Sequence, residues 1–180
     1  MSSVVISGDT SGAITLAAPS VAGTNTITLP AATGTVMVSG NMPAFSAYAN
    51  GGQSISNNTA TKIQFNIKNF DTASAYDNST NYRFTPLVAG YYQVTLNVAL
   101  NTMTGNAQPS INKSGSVYQY GNFPNTCTAQ PYWASMTALI YMNGSTDYIE
   151  GYITQFTASS INLQTSSYAN TFSAVLVRSA

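Results

Sequence analysis

Apolar residues recur at every second position along most of this chain. In residues 61–67, Ile63, Phe65 and Ile67 share one face. In residues 90–101, Tyr92, Val94, Leu96, Val98 and Leu100 alternate with Tyr91, Gln93, Thr95 and Asn97. Residues 132–142 put Ala134, Met136, Ala138, Ile140 and Met142 on one face, and Phe172, Ala174 and Leu176 alternate with Ser173, Val175 and Val177. A period of two is the geometry of a β-strand, whose successive side chains point to opposite faces. No long stretch carries the 3.6 period of a helix. Turn signals separate the runs: Gly51-Gly52, Asn57-Asn58, Ala89-Gly90, Gly105-Asn106, Gly121-Asn122 and Asn143-Gly144. Strands at this spacing predict an all-β, jelly-roll sandwich.

The chain achieves its polarity almost without charge. Five basic and five acidic residues make up 6% of the 180 positions, while Ser, Thr and Asn supply 22, 23 and 18. With no basic cluster, a nucleic-acid partner is not expected, because neutralising phosphates needs Lys or Arg. With no His, neither a Ser-His-Asp nor a Cys-His system can form, nor a His-ligated zinc site. The lone Cys127 cannot close an intrachain disulfide and reads as a free thiol. No apolar run reaches the ~18 residues of a membrane-spanning helix, so no membrane insertion is expected. The start, Met1-Ser-Ser-Val-Val-Ile-Ser, does not read as a secretory signal. Low charge also removes repulsion between copies, so an obligate oligomer is expected.

Charge placement divides the chain. Before Lys62 the only charged residue is Asp9. The pairs Ile14/Leu16, Ile27/Leu29 and Val36/Val38 sit two apart between punctuating glycines and prolines, and predict three or four short strands. Residues 1–43 therefore read as an extended β arm, for attachment or intertwining, and residues 44–180 as the jelly-roll head. So few apolar residues cannot offset roughly 1–2 kcal/mol of backbone entropy per residue, so the arm must pack on copies of itself or on another protein. Tyrosines fall on both faces of the predicted strands. Tyr48, Tyr91, Tyr148 and Tyr152 are candidates for a sheet face buried between subunits, where a ring supplies apolar area and the hydroxyl stays satisfied at a rim.

One constellation is more specific. Phe65, Asp71 and Tyr76 are followed by Phe84-Thr-Pro-Leu-Val-Ala-Gly90-Tyr91-Tyr92-Gln-Val94. This resembles the signature of the complement-type globular head, the trimeric jelly roll shared with tumour necrosis factor. In that pattern an aromatic precedes an Asp or Asn, further aromatics follow, and a Phe stands six positions before Gly-x-Tyr. Arg83 departs from it where a second Phe belongs, and Val94 and Leu96 replace aromatics. The ending Asn170-Thr-Phe172-Ser-Ala-Val-Leu176 is similar to the family's last strand. The resemblance covers about residues 44–180 and implies a homotrimer. Its residues read as structural, with Gly90 opening a strand where a side chain would obstruct.

The leader, Gly8-Asp-Thr-Ser-Gly-Ala-Ile-Thr-Leu-Ala-Ala-Pro and then Ala22-Gly-Thr-Asn-Thr-Ile-Thr-Leu-Pro, is similar to segments of tailed-phage fibre and virion-surface proteins. Together the two resemblances imply a bacteriophage virion protein on the particle surface, assembled in the host cytoplasm. Its partners would be itself and a neighbouring virion protein, the major capsid protein first among them. The expected role is a capsid decoration or cement protein anchored by its arms; the alternative is a short tail or head fibre adhesin. The carboxylate pairs Asp71/Asp77 and Asp147/Glu150 carry no catalytic signature, and no enzyme, cofactor or metal is expected. Residues 101–131, rich in Asn, Gln, Tyr and Ser, read as loops able to hold a host glycan.

Overall fold

The computed structural model describes residues 3–21, 23–28, 31, 34, 36–123 and 126–180. The chain divides into two compact units, Met1–Gly34 and Thr35–Ala180. The first unit contains β1 (Ser3–Ser7) and β2 (Ala13–Ala17), an antiparallel hairpin in which Val4 faces Leu16 and Ile6 faces Ile14. The second unit holds β3 (Ala44–Tyr48), β4 (Ser54–Ile55), β5 (Thr61–Lys62), β6 (Ile67–Asp71), β7 (Tyr76–Asp77), β8 (Arg83–Phe84), β9 (Gly90–Lys113), β10 (Ser116–Tyr120), β11 (Cys127–Met142), β12 (Ile149–Phe156), β13 (Ile161–Asn162) and β14 (Thr171–Ser179). Among the described residues the only helical element is a short 3-10 turn, Ser39–Asn41.

The long strand β9 organises the head. Its first half pairs with β14 and β11, and its second half pairs with β12 and β10. A front sheet thus runs β6-β3-β14-β9-β11, and a back sheet runs β10-β9-β12, with β8 and β5 pairing along the far edge of β12 and β7 beyond β8. Among the described residues every pairing between these strands is antiparallel. The corner lies at Gly105. The β11 pairing ends there and the β12 pairing begins at Asn106. Gly105 has φ +138°, and a Cβ would run into the Phe156 carbonyl, so only glycine turns this corner cheaply. Gly105-Asn106 is therefore not the chain reversal that the sequence predicts. For the same reason residues 101–131 are not a loop region. Their described residues form the second half of β9, β10 and the start of β11.

The core between the sheets is aromatic. Phe45 stacks on Tyr76 at 4.6 Å and on Phe84 at 4.5 Å between ring centroids, and meets Phe172 edge-on at 5.3 Å. Phe65 stacks on Phe172 at 5.3 Å, and Tyr92 meets Phe84 edge-on at 5.8 Å. All six rings are buried. The buried hydroxyls stay satisfied: Tyr76 donates to the Phe65 carbonyl, Tyr92 to Val88 and Tyr132 to Ala107. The Asp71 carboxylate accepts the N–H groups of Ala75 and Tyr76, each at 3.0 Å, and so shapes the turn from β6 into β7. Gly90 lies so close to the Arg178 carbonyl and the Leu176 side chain that no Cβ fits. The motif residues Phe65, Asp71, Tyr76, Phe84, Gly90, Tyr92 and Phe172 are thus one packing device.

The leader differs from its expected form. Ile14 and Leu16 lie in β2, but Ile27, Val36 and Val38 lie in no strand, and Leu29 falls outside the described residues. Ile27 and its described neighbours have no ladder partner, and alternation alone does not supply one. Val36 and Val38 instead lead into the 3-10 turn, where the Asn41 side chain accepts the Val38 N–H at 2.7 Å. In their place the hairpin uses β1, whose Val4 and Ile6 also stand two apart.

Candidate oligomerisation faces

The outer face of the front sheet carries an organised pattern of exposed side chains. Side chains facing away from the core come from alternate positions of β9, β11, β14 and β3. Read across the strands they form bands. At one end lie Tyr91, Leu139, Tyr141, Val175 and Val177, each between 42% and 58% exposed. The Tyr91 and Tyr141 rings face each other across the β9–β11 ladder with centroids 5.5 Å apart. In the middle, Thr137, Thr95, Ser173 and Ser46 stand in register across four strands, with Thr95 and Thr137 hydroxyls 3.2 Å apart. At the other end lie Trp133, Asn97, Thr171 and Tyr48. Neither β3 nor β11 contains a charged residue, β14 contains only Arg178, and β9 contains only Lys113, whose Nζ lies 5.7 Å from the centre of the Tyr141 ring; Gln93 stands between Leu139 and Val175. Water-facing Leu and Val beside two tyrosines, with almost no charge, is the composition of an interface centre rather than of a solvated sheet.

The sequence-based interface candidates divide between the two sheets. Tyr91 is exposed in the apolar band, and Tyr48 is half-buried at the opposite end of the same face, opposite Thr171 and Ile67. Tyr148 precedes β12, on the back sheet, and carries the Arg83 guanidinium 4.3 Å above its ring. Tyr152 lies in β12 opposite Lys62 and Ser110. Burial, and then the nearby Glu150 charge, raise the pKa of its phenol. The four tyrosines therefore do not make one face, because β12 pairs into the back sheet. Sequence reading passed over Leu139, Tyr141, Val175 and Val177. Their signal was an apolar residue on the outward parity of a strand whose inward parity is already apolar.

The ionisable groups are used structurally. Glu150 is buried and takes Lys62 Nζ at 2.8 Å, Asp147 takes Lys113 at 2.9 Å, and Asp71 takes Lys68 at 3.3 Å. Asp77 accepts the N–H groups of Ser79, Thr80 and Asn81 in its own turn, and these hold its carboxyl well below the usual carboxylate range. The Lys113 hydrogen bond lowers the pKa of Asp147. Among the described residues no three His, Cys, Asp or Glu side chains gather as metal ligands. Cys127 is a buried free thiol.

The hairpin is a second unpartnered surface. Val4, Ile6, Ile14 and Leu16 share one face and are 55% to 67% exposed. Its turn is closed by Gly8 donating to the Gly12 carbonyl at 3.0 Å. A two-stranded hairpin with one aliphatic face is marginal in water by itself.

No family model matches the sequence, and no curated protein does. Solved structures do match the fold. A crystal structure of murine APRIL at pH 5.0 aligns with TM-score 0.60 and 9% identity, over 76% of this chain and 99% of that one. The globular domain of zebrafish complement 1qA protein aligns with TM-score 0.54 and 17% identity, over 77% of this chain and 98% of that one. Eiger TNF from S. frugiperda aligns with TM-score 0.54 and 10% identity, over 77% and 93%. The head is thus an all-β jelly roll of the tumour-necrosis-factor and complement type.

Proposed function

We propose that this chain is a bacteriophage virion structural protein, a homotrimeric capsid decoration or cement protein anchored by its N-terminal hairpin. The observation that carries the reading is a pair of apolar surfaces with few charges, the Tyr91–Tyr141 end of the front sheet and the aliphatic face of the hairpin. The band from Leu139 to Val175 is suited to self-association, because burying the exposed half of each such side chain stabilises an assembly by about 1 kcal/mol. Three heads closing around a threefold axis cover it. The hairpin then lies against a neighbouring virion protein, or adds its free strand edge to that protein's sheet, where backbone hydrogen bonds give grip without charge. Three hairpins per trimer multiply the attachment through effective concentration. Uncharged contacts also make the attachment insensitive to salt.

The testing experiment removes residues 1–34 and offers the truncated head to particles lacking the protein. The expected result is an intact trimer that no longer attaches; undiminished attachment overturns the anchor. Copy number per particle separates the decoration role from a second reading, a short fibre adhesin. Dozens to hundreds of copies fit a decorated shell, and a few trimers fit a fibre. The adhesin reading is favoured by one observation, an open cleft flanked by exposed aromatic rings at the Trp133 end of the front sheet.

A further inference from the structure

Asn-Gly occurs twice in the chain, at Asn50-Gly51 and at Asn143-Gly144. The pair is chemically labile, because the backbone nitrogen that follows an Asn can attack its side-chain amide. Glycine, with no Cβ, neither shields that nitrogen nor restricts the rotation the attack needs. The fold treats the two copies differently. Asn143 is locked: its Oδ1 accepts the N–H groups of Ser145, Thr146 and Asp147, each at 3.0 Å, and its Nδ2 donates to Thr146 Oγ1 at 2.9 Å. Gly144 is packed against the backbone of Val88 and Ala89, where no Cβ fits.

Asn50 is held only by its main chain. It is exposed, in the loop from β3 to β4, where its N–H donates to Asn66 Oδ1 at 2.8 Å and its carbonyl accepts Asn66 Nδ2 at 3.3 Å. Among the described residues its side-chain amide makes no hydrogen bond, and neither does the Gly51 N–H. Gly51 has φ +129°, and beyond its chain neighbours nothing lies within 4 Å of the position a Cβ would take. The Asn50 amide can therefore turn toward the Gly51 nitrogen without breaking a hydrogen bond, and water reaches both.

We propose that Asn50 is a site of spontaneous deamidation, which places a negative charge on the loop between β3 and β4. The Gly51 nitrogen bonds to Asn50 Cγ and gives up its proton, and the Cγ–Nδ2 bond breaks, releasing ammonia and leaving a succinimide. Water then adds to either ring carbonyl and breaks its bond to the ring nitrogen, giving aspartate or isoaspartate. The chain gains a water and loses an ammonia, and no other reactant is needed. The product carries a charge within residues 10–61, a stretch that otherwise has none. In isoaspartate the carbonyl that Asn66 holds becomes the free carboxylate, and the main chain runs through the former side chain, a methylene longer. The reaction is internal to one chain, so it needs no sheet face open and does not rest on the proposed assembly.

The full chain is aged in mildly alkaline buffer below its melting temperature, in native form and in parallel in urea, and then digested with trypsin. Cleavage follows Lys62, Lys68, Arg83, Lys113 and Arg178, so the two Asn-Gly pairs fall in different peptides. Fragment masses then place each deamidated residue. In urea the two sites are expected to react at comparable rates. In the native protein Asn50 is expected to react at least about tenfold faster than Asn143, whose side-chain hydrogen bonds must break first. On native isoelectric focusing an acidic form is expected to accumulate with age in wild type. It is expected to be lost in Asn50→Gln, which keeps the main-chain bonds to Asn66 but does not close the same ring. Equal rates at the two sites in the native protein overturn the proposal. So does an Asn50 that stays intact when native while reacting in urea, and so does an acidic form that accumulates unchanged in Asn50→Gln.

Discussion

Individual side chains set the pH range over which the head is stable. Backbone N–H groups hold the Asp77 carboxyl, and the Lys113 hydrogen bond holds that of Asp147, below the ordinary carboxylate range. Their stabilisation is complete above the unfolded value near 3.9 and is lost as pH falls toward the lower folded values. Burial acts in the opposite window. It pushes the Tyr92 phenol up to about 12 and those of Tyr76 and Tyr132 further. Above about pH 10 the unfolded chain releases these protons while the folded chain keeps them, so stability falls as pH rises. With no His in between, the melting temperature is expected to be flat from about pH 5 to 9 and to drop on both sides. A midpoint that varies steeply near pH 6.5 contradicts this. The aromatic cluster makes a second prediction at the same scale. Phe45 touches three other rings, and Phe45→Ala is expected to cost about 3–5 kcal/mol in urea unfolding. Asp71→Ala, which leaves two N–H groups without an acceptor, is expected to cost about 1–3 kcal/mol.

Among the elements, β9 decides the architecture, and its corner is where local sequence and fold part company. Gly105→Ala places a Cβ against the Phe156 carbonyl at a φ that L-residues avoid. The expected loss is roughly 1–3 kcal/mol, read as a lower urea midpoint; an unchanged midpoint means the corner is not strained. Period-two alternation identified the first half of β9, the later part of β11 and β14, because each has one core face. It also identified Phe65 and Phe172 as core, whereas Phe84 was legible only from its place in the motif that ends in Gly90-x-Tyr92. It could not show that β9 continues past Gly105, because glycine, asparagine and proline there carry the same signal in a turn as in a strand corner. Nor could it distinguish Ile14 from Ile27: pairing depends on a partner strand, and Val4 to Ile6 supplies one only for residues 13–17. The apolar band was half legible. Tyr91 was recognised from its size and exposed parity, whereas Leu139 and Val175 are placed on one face, on either side of Gln93, only once β11, β9 and β14 are in register.

At the scale of the whole molecule, the central claim is that the head is incomplete as a single copy. The apolar band and the hydroxyl row beside it are compatible with contact between identical chains, which low charge leaves unopposed. Leu139→Asp, at an exposed strand position, leaves the core untouched and places a charge in the centre of the proposed contact. It is expected to leave the β-sheet circular dichroism unchanged while shifting the assembly toward monomer by at least about tenfold in dissociation constant. The most direct test is sedimentation equilibrium of the full chain at micromolar concentration. The account predicts a single species of three times the 18.9 kDa chain mass; a folded, non-associating species at the mass of one chain contradicts it.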